Sequence, residues 1–195
     1  EEKKMKKLSV LLLAMIMAFS FAACGEAKDG DGMENNSPEE VTVSGITAIV
    51  PDGYTYTDKY EMLGRKNLII CKEVPDAGSV ESPYVDVTIY PVGSAGCQAG
   101  PSSKTPFTME TLKKEVKEYS RTISGIEILD DASFAGYDWY VYKTSRNGEK
   151  CNFYTTVIND RVVGVNVADE IFLDTEEAQA IMESLKFDIE ATETE

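Results

Sequence analysis

The first 23 residues limit what this chain can fold into, because they do not have the pattern of a folded domain. Four lysines precede Leu8, and Leu8–Ala23 is a run of sixteen residues without a charged side chain. A basic start followed by a short apolar run is typical of an export signal, and sixteen residues are too few to cross a bilayer comfortably as a helix. We therefore predict that residues 1–23 are a signal peptide and that the fold begins after them.

The residues that end this run, Phe21-Ala22-Ala23-Cys24-Gly25, resemble the lipobox of bacterial lipoproteins. The resemblance implies cleavage before Cys24 and attachment of a diacylglyceryl group to its thiol. The protein would then be held at the cell membrane by lipid and would face outside the cytoplasm. Position 21 departs from the pattern, since Phe stands where Leu, Val or Ile is usual. A plain secretory signal cut at an A-x-A-like site and a short membrane helix remain open as alternatives.

The chain is strongly acidic, with 34 Asp and Glu residues against 19 Lys and Arg residues and a formal net charge of −15. Binding to nucleic acid requires a basic face that neutralises phosphates and displaces counterions. An acidic domain is also repelled by an anionic membrane surface. We therefore predict no nucleic-acid partner, and membrane attachment only through the N-terminal lipid.

The sequence contains no histidine, so it lacks the commonest general base and the commonest zinc ligand. Ser-His-Asp and Cys-His catalytic arrangements are excluded with it, and we predict no cofactor and no metal. Three cysteines follow Cys24, at Cys71, Cys97 and Cys151, an odd number without CxxC spacing. One disulfide with one free thiol and three reduced cysteines are both open, although Cys71 and Cys151 lie in apolar runs that favour a core role.

Composition divides the remaining chain into three parts. Residues 24–40 are mostly Gly, Asp, Glu and Asn without apolar periodicity, which predicts a flexible acidic tether after the lipidated cysteine. Residues 41–189 have the size of a single domain, and residues 190–195 form a polar tail. Acidic residues in the tether do not have the spacing of a calcium-binding loop.

Hydrophobic periodicity within residues 41–189 predicts seven strands and two helices, with Phe187 and Ile189 suggesting a final edge strand. Thr108 is predicted to cap an amphipathic helix that ends near Ser124-Gly125, and Asp174 to cap a second helix. Turns are predicted at Asn147-Gly148 and at Asn159-Asp160. The strands are predicted at Val41–Val50, Asn67–Val74, Tyr84–Pro91, Ile126–Phe134, Trp139–Ser145, Cys151–Ile158 and Arg161–Ala168. This order predicts an α+β fold, an antiparallel sheet of about six to seven strands with helices packed on it.

Three segments of the domain resemble the Mog1/PsbP-like superfamily. They are the opening phrase Ile46–Tyr54, the hairpin around Phe134-Ala135-Gly136 with Tyr140, and the closing phrase Ile181–Phe187. The resemblance covers residues 41–189 and implies an α/β/α sandwich around an antiparallel sheet. Members of that group are mostly non-enzymatic and include photosystem II extrinsic subunits and a Ran-binding nuclear transport factor. The resemblance supplies no catalytic residue.

These observations favour a non-catalytic lipoprotein that binds a protein or envelope component as an accessory module. Its candidate binding surface consists of five aromatic residues, Tyr137, Trp139, Tyr140, Tyr142 and Tyr154. Aromatic side chains supply much of the binding energy in protein interfaces. Because side chains alternate along a strand, Trp139 and Tyr140 point to opposite faces. The competing interpretation is that these rings pack beneath the helices.

Two other function classes remain open. A carboxylate enzyme acting on glycans could use Asp130 with Asp131, or Asp169 with Glu170, since such enzymes need two carboxyl groups about 5–10 Å apart. Adjacent residues of a strand point to opposite faces, so neither pair is well placed by itself. Binding of calcium or a small ligand by the acidic surface is the third class, although no loop shows dedicated spacing.

Overall fold

The computed structural model describes residues 37–58, 64–74, 83–94, 107–122, 124–146 and 149–190. The predicted signal peptide, Cys24 and the predicted tether up to residue 36 lie outside the described residues. So do Cys97, the predicted turn at residues 147–148 and the residues after 190.

Two antiparallel sheets and three helices make up the described part of the chain. The strands are β1 (Glu39–Val43), β2 (Ile46–Val50), β3 (Thr55–Thr57), β4 (Lys66–Cys71), β5 (Tyr84–Ile89), β6 (Glu127–Ile128), β7 (Ala132–Phe134), β8 (Tyr137–Arg146), β9 (Glu149–Ile158), β10 (Arg161–Ala168) and β11 (Lys186–Phe187). The helices are α1 (Met109–Thr122), α2 (Glu170–Leu173) and α3 (Glu176–Ser184). The small sheet has the order β1-β2-β11, and the large sheet has the order β3-β4-β5-β10-β9-β8-β6 with β7 paired to β8. The predicted α+β class is confirmed.

The large sheet is covered on both faces, which gives the domain its layers. Its first face packs under the small sheet, α2 and α3, and the core there includes Trp139, Val165 and Ile181. Its second face packs under α1, where Leu112 and Val116 meet Tyr140. Alternation along each strand supplies apolar side chains to both faces, so most strands of this sheet are buried rather than half-exposed.

The predicted N-terminal cap of α1 is confirmed, and that of α3 is wrong by one residue. Thr108 caps α1 as predicted, because its Oγ1 accepts a hydrogen bond from the Thr111 N–H at 3.2 Å. The cap of α3 is Thr175 and not Asp174, since the Thr175 Oγ1 accepts from the Ala178 N–H and its backbone is extended. Asp174 instead ends α2, a four-residue helix that the sequence did not predict.

Two predicted strands are each divided in two. Val41–Val50 is interrupted by a turn at Ser44 and Gly45, both with positive φ, so it forms the β1–β2 hairpin. Ile126–Phe134 likewise forms β6 and β7. The predicted turn at Asn159-Asp160 is confirmed, with φ values of 46° and 64°. Positive φ at both central residues is the geometry that matches the twist of paired strands.

The sheet register decides the pairing of two cysteines. Cys71 lies opposite Tyr84, Tyr84 opposite Ala168, and Ala168 opposite Cys151. Three steps of about 4.8 Å separate the two cysteines, whereas the Cα atoms of a disulfide lie about 4.4–6.8 Å apart. Cys71 and Cys151 therefore do not bond to each other, and both are buried.

Burial of the Cys71 thiol predicts a loss of stability at alkaline pH. Burial raises the pKa of Cys71 from 9.0 to about 11, against the opposing effect of its hydrogen bond to the Glu73 carbonyl. The folded protein then keeps a proton that the unfolded chain releases, so the free energy of unfolding falls as pH rises from about 9 to about 11. We expect urea denaturation at a series of pH values to show this fall in the free energy of unfolding, and to show a smaller fall for Cys71→Ala.

The difference between the wild type and Cys71→Ala gives the contribution of the Cys71 thiol to the alkaline loss of stability. Burial also raises the pKa values of Tyr54, Tyr140 and Tyr154, so some alkaline loss remains in the variant. Equal pH slopes for the wild type and Cys71→Ala would contradict the assignment to Cys71.

Candidate functional site

The predicted aromatic binding surface is largely interior. The exposed fractions are 0% for Trp139, 4% for Tyr140, 6% for Tyr142 and 7% for Tyr154. Tyr137 is half-buried and packs against the same core. The prediction that these rings form an outer surface is corrected, because a partner has no access to four of them in this conformation.

The rings are divided between the two faces of β8. Trp139 stacks on Phe134 with ring centres 4.6 Å apart, and its Nε1–H donates to the Phe134 carbonyl at 3.2 Å. On the other face, Tyr142 stacks on Phe153 beneath α1. Strand alternation predicted this division, but only tertiary packing determines that both faces are covered.

The two candidate carboxylate pairs have structural roles or lie in solvent. Asp131 pairs with Lys113, and Asp130 is exposed. Asp169 caps α2 by accepting from the Ile171 N–H, and Glu170 pairs with Lys143 and Lys150. Neither pair has the form of two carboxyl groups facing a common substrate pocket.

The described part of the chain has neither a metal-ligand cluster nor a membrane-spanning helix. Within residues 37–190, leaving aside those that the structure does not describe, no group of three or more Cys, Asp and Glu side chains converges as metal ligands. No helix among these residues is both long enough and apolar enough to cross a bilayer.

A cleft of about 290 Å³ lies at one end of the large sheet, and we call it the end cleft. Its apolar lining comes from Ile89 at the end of β5 and from Ile189. Four charged residues complete its walls, Lys66, Arg161, Asp188 and Glu190. The end cleft therefore combines a small apolar lining with both signs of charge.

Hydrogen bonds hold the walls of the end cleft together. The Asp188 N–H donates to the Gly45 carbonyl at 2.8 Å, which ties the segment after β11 to the β1–β2 turn. The Asn159 side-chain amide donates to the Ile189 carbonyl at 2.6 Å, which ties the same segment to the β9–β10 turn. The shape of the cleft is therefore set by two turns and does not depend on a bound molecule.

The charged groups of the end cleft do not neutralise each other. Four lysines form salt bridges in the described chain, but neither Lys66 nor Arg161 does, and neither do Asp188 and Glu190. The Arg161 Nε is buried and has no hydrogen-bond partner among the described residues. A buried donor without a partner is costly, so one N–H group of this cleft residue has unused bonding capacity.

The sequence did not indicate these four residues as a site, because three distant segments of the chain supply them. One signal was available in the strand pattern. By strand alternation, Lys66 lies on the same face as Leu68 and Ile70, and Arg161 lies on the same face as Val163. A cation at the end of an apolar strand face indicates a charge held at the margin of the core.

A second polar group lies on the other face of the large sheet. The Asp86 carboxylate accepts from the Asn67 amide at 3.3 Å and from the Thr88 hydroxyl at 3.1 Å. The Oδ1 atoms of Asn67 and Asn166 lack a hydrogen-bond partner. Because Asp86 is already bonded twice, this group is a network within the sheet rather than an open site.

Comparison with known proteins gives a distant structural likeness. No protein-family model matches the chain, and no curated sequence matches it significantly. The chain is similar to the solution structure of cyanobacterial PsbP (CyanoP) from Synechocystis sp. PCC 6803, with 15% identity and a TM-score of 0.44. The match covers 84% of this chain and 100% of that one. The α+β class rests on the strands and helices above, and no functional residue is taken from this likeness.

Proposed function

We propose that this protein is a lipid-anchored component of the cell membrane, facing outside the cytoplasm, that binds a protein or envelope component without catalysis. The observation that carries the proposal is the sequence of residues 3–25, where four lysines, an uncharged run and small residues precede Cys24. One acyl chain gives only marginal membrane binding, so durable attachment requires the two or three chains that a lipobox implies.

The chemistry of the domain favours binding over catalysis. Without histidine, acid-base chemistry would depend on other side chains, and three of the four candidate carboxylates are engaged by lysines or by a helix start. The end cleft offers charged groups of both signs that form no salt bridge among the described residues, which suits recognition of a ligand.

The anchor is tested by replacing its attachment residue. In cells fed an alkyne-tagged fatty acid, we expect the wild-type protein to carry the label in the membrane fraction. Cys24→Ala is expected to carry no label and to keep its signal, because cleavage at a lipobox requires the modified cysteine. Cys71→Ala is the matched control and is expected to be labelled normally, since Cys71 is a core residue.

The alternatives give different results in the same experiment. A plain secretory protein would be cleaved and released in both the wild type and Cys24→Ala, without label. An uncleaved membrane helix would hold both proteins in the membrane, also without label. Either result would overturn the proposed anchor.

The binding role is tested by crosslinking in intact cells followed by purification of the protein. We expect a defined protein or envelope component to be recovered with the anchored wild type and not in a control purification from cells that lack the protein. Recovery of no specific component from the anchored protein would contradict the proposed role.

A further inference from the structure

We propose that the end cleft binds a zwitterionic ligand of dipeptide size. Arg161 and Lys66 would bind its carboxylate, and Asp188 and Glu190 would face its ammonium group. The inference rests on the proposed binding role and names the ligand class of that site.

The Arg161 side chain indicates the carboxylate. Its Nε is buried without a hydrogen-bond partner among the described residues, so an acceptor that reached this atom would supply a bond that water does not. A guanidinium presents its N–H groups in a planar fork that matches a carboxylate with two parallel hydrogen bonds. Lys66 lines the same cleft and adds a second positive charge.

The acidic side of the end cleft excludes a simple anion as the best ligand. Asp188 and Glu190 line the same 290 Å³ space and are exposed. A phosphate or an isolated carboxylate bound at Arg161 would be repelled by them, and an isolated amine would be repelled by Arg161 and Lys66. A molecule with one charge of each sign is attracted at both ends.

The charge pattern is unusual for this chain. With a net charge of −15, cations are scarce and acidic partners are abundant. Lys113, Lys143, Lys150 and Lys186 all have carboxylate partners. In the end cleft, two cations and two acids share one space, and none of them forms a salt bridge among the described residues, so each remains available to a ligand.

The size and lining of the cleft favour a small dipeptide. Its volume of about 290 Å³ lies just below the range of about 300–1,000 Å³ that is usual for ligand pockets. Ile89 and Ile189 provide apolar contact for short side chains. Alanyl-alanine, which has two methyl side chains and both charges, is therefore a suitable probe.

Three matched probes separate the contributions of the two charges. Isothermal titration calorimetry would use the full chain extracted from membranes in detergent. The probes are alanyl-alanine, its N-acetyl form without the ammonium charge, and its amide without the carboxylate. We expect alanyl-alanine to bind at least about tenfold more tightly than either blocked form, which corresponds to one charge-assisted hydrogen bond.

Variants assign the binding to the named residues. Arg161→Gln is expected to weaken alanyl-alanine binding by about tenfold or more. Arg65→Gln is the matched control, because it removes the same charge from a side chain that lies over the Tyr90 ring outside the cleft. It is expected to change the affinity less than about twofold. Arg161→Lys keeps the charge but loses the forked N–H groups. Its affinity for alanyl-alanine should lie between those of Arg161→Gln and Arg65→Gln.

An exposed acid provides a test that does not depend on a buried group. Asp188→Asn is expected to reduce the ratio of the affinities for alanyl-alanine and its N-acetyl form. The substitution removes a carboxylate that attracts the ligand's ammonium group and repels the ligand's carboxylate. The Asp188 side chain has no hydrogen bond in the described structure, so the fold should be retained. Thermal melting of each variant verifies this.

Several results would overturn the inference. They are equal affinity for all three probes, no binding of alanyl-alanine, and equal effects of Arg161→Gln and Arg65→Gln. Failure of the inference is distinguishable from failure of the proposed function. If Arg161→Gln still crosslinks to the same partner as the wild type, the binding role stands and the end cleft is not its site.

Discussion

Replacing Trp139 with alanine is expected to lower the free energy of unfolding by about 3–5 kcal/mol. Trp139 is the single tryptophan of the chain and is fully buried. Its ring stacks on Phe134 and touches the ring of Phe187 from the last strand, so it joins β7 and β8 to the C-terminal segment. The substitution leaves a large cavity and removes the donor to the Phe134 carbonyl.

Urea denaturation followed by circular dichroism measures this loss, since the variant has no tryptophan fluorescence. Trp139→Phe is the control, because it keeps an aromatic ring in the core and removes mainly the hydrogen bond and part of the volume. Its loss should be clearly smaller than that of Trp139→Ala. A Trp139→Ala protein with wild-type stability that no longer crosslinks to its partner would restore the predicted aromatic binding surface.

The burial of Trp139 shows where sequence reasoning succeeds and where it stops. Strand alternation correctly separates Trp139 and Val141 from Tyr140 and Tyr142. Exposure of either set depends on what covers the sheet. Here α1 covers the second face, and the small sheet with α3 covers the first, so both sets are core.

Local chemistry was most predictive where one side chain determines the backbone. Thr108 begins α1, and Asn159-Asp160 forms a turn. The β1–β2 turn was missed because Val, Ile and Thr continue on both sides of Ser44-Gly45. The pattern therefore predicts one long strand where the structure has a hairpin. Thr175 was missed as a cap because Asp174 beside it has the higher capping propensity, whereas the structure places the extended backbone of a cap at Thr175.

The end cleft could not be found from sequence, because its residues meet only through long-range pairing. β10 lies beside β5 and brings Arg161 to the sheet end that carries Lys66. β11 pairs with β2, and this pairing brings Asp188 to the β1–β2 turn. Neither pairing joins strands that follow each other in the chain.

The β1–β2 turn also gives a stability prediction that bears on the cleft. Gly45→Ala is expected to lower the free energy of unfolding by about 2–4 kcal/mol, from two separate causes. The φ of Gly45 is +81°, which costs a residue with a Cβ about 1–2 kcal/mol. In addition, the new Cβ would lie 2.8 Å from the Asp188 carbonyl oxygen, closer than real contacts allow.

Gly53→Ala separates the two causes. Gly53 has a similar φ of +74°, but nothing lies within 4 Å of the position its Cβ would take. The free energy of unfolding of Gly53→Ala should therefore fall only by the backbone cost of about 1–2 kcal/mol. The further fall in Gly45→Ala measures the contact with Asp188. Equal losses in chemical denaturation of the two variants would show that the segment after β11 does not press against the turn.

The extra loss has a consequence for the end cleft, because the atoms that the new methyl group displaces form its wall. Relief of the contact requires the Asp188 backbone to move away from Gly45, and this movement lengthens the 2.8 Å hydrogen bond that joins them. Gly45→Ala should therefore weaken alanyl-alanine binding, whereas Gly53→Ala, which lies outside the cleft, should not. A Gly45→Ala protein that is destabilised as expected but binds normally would indicate that ligand recognition does not depend on the position of Asp188.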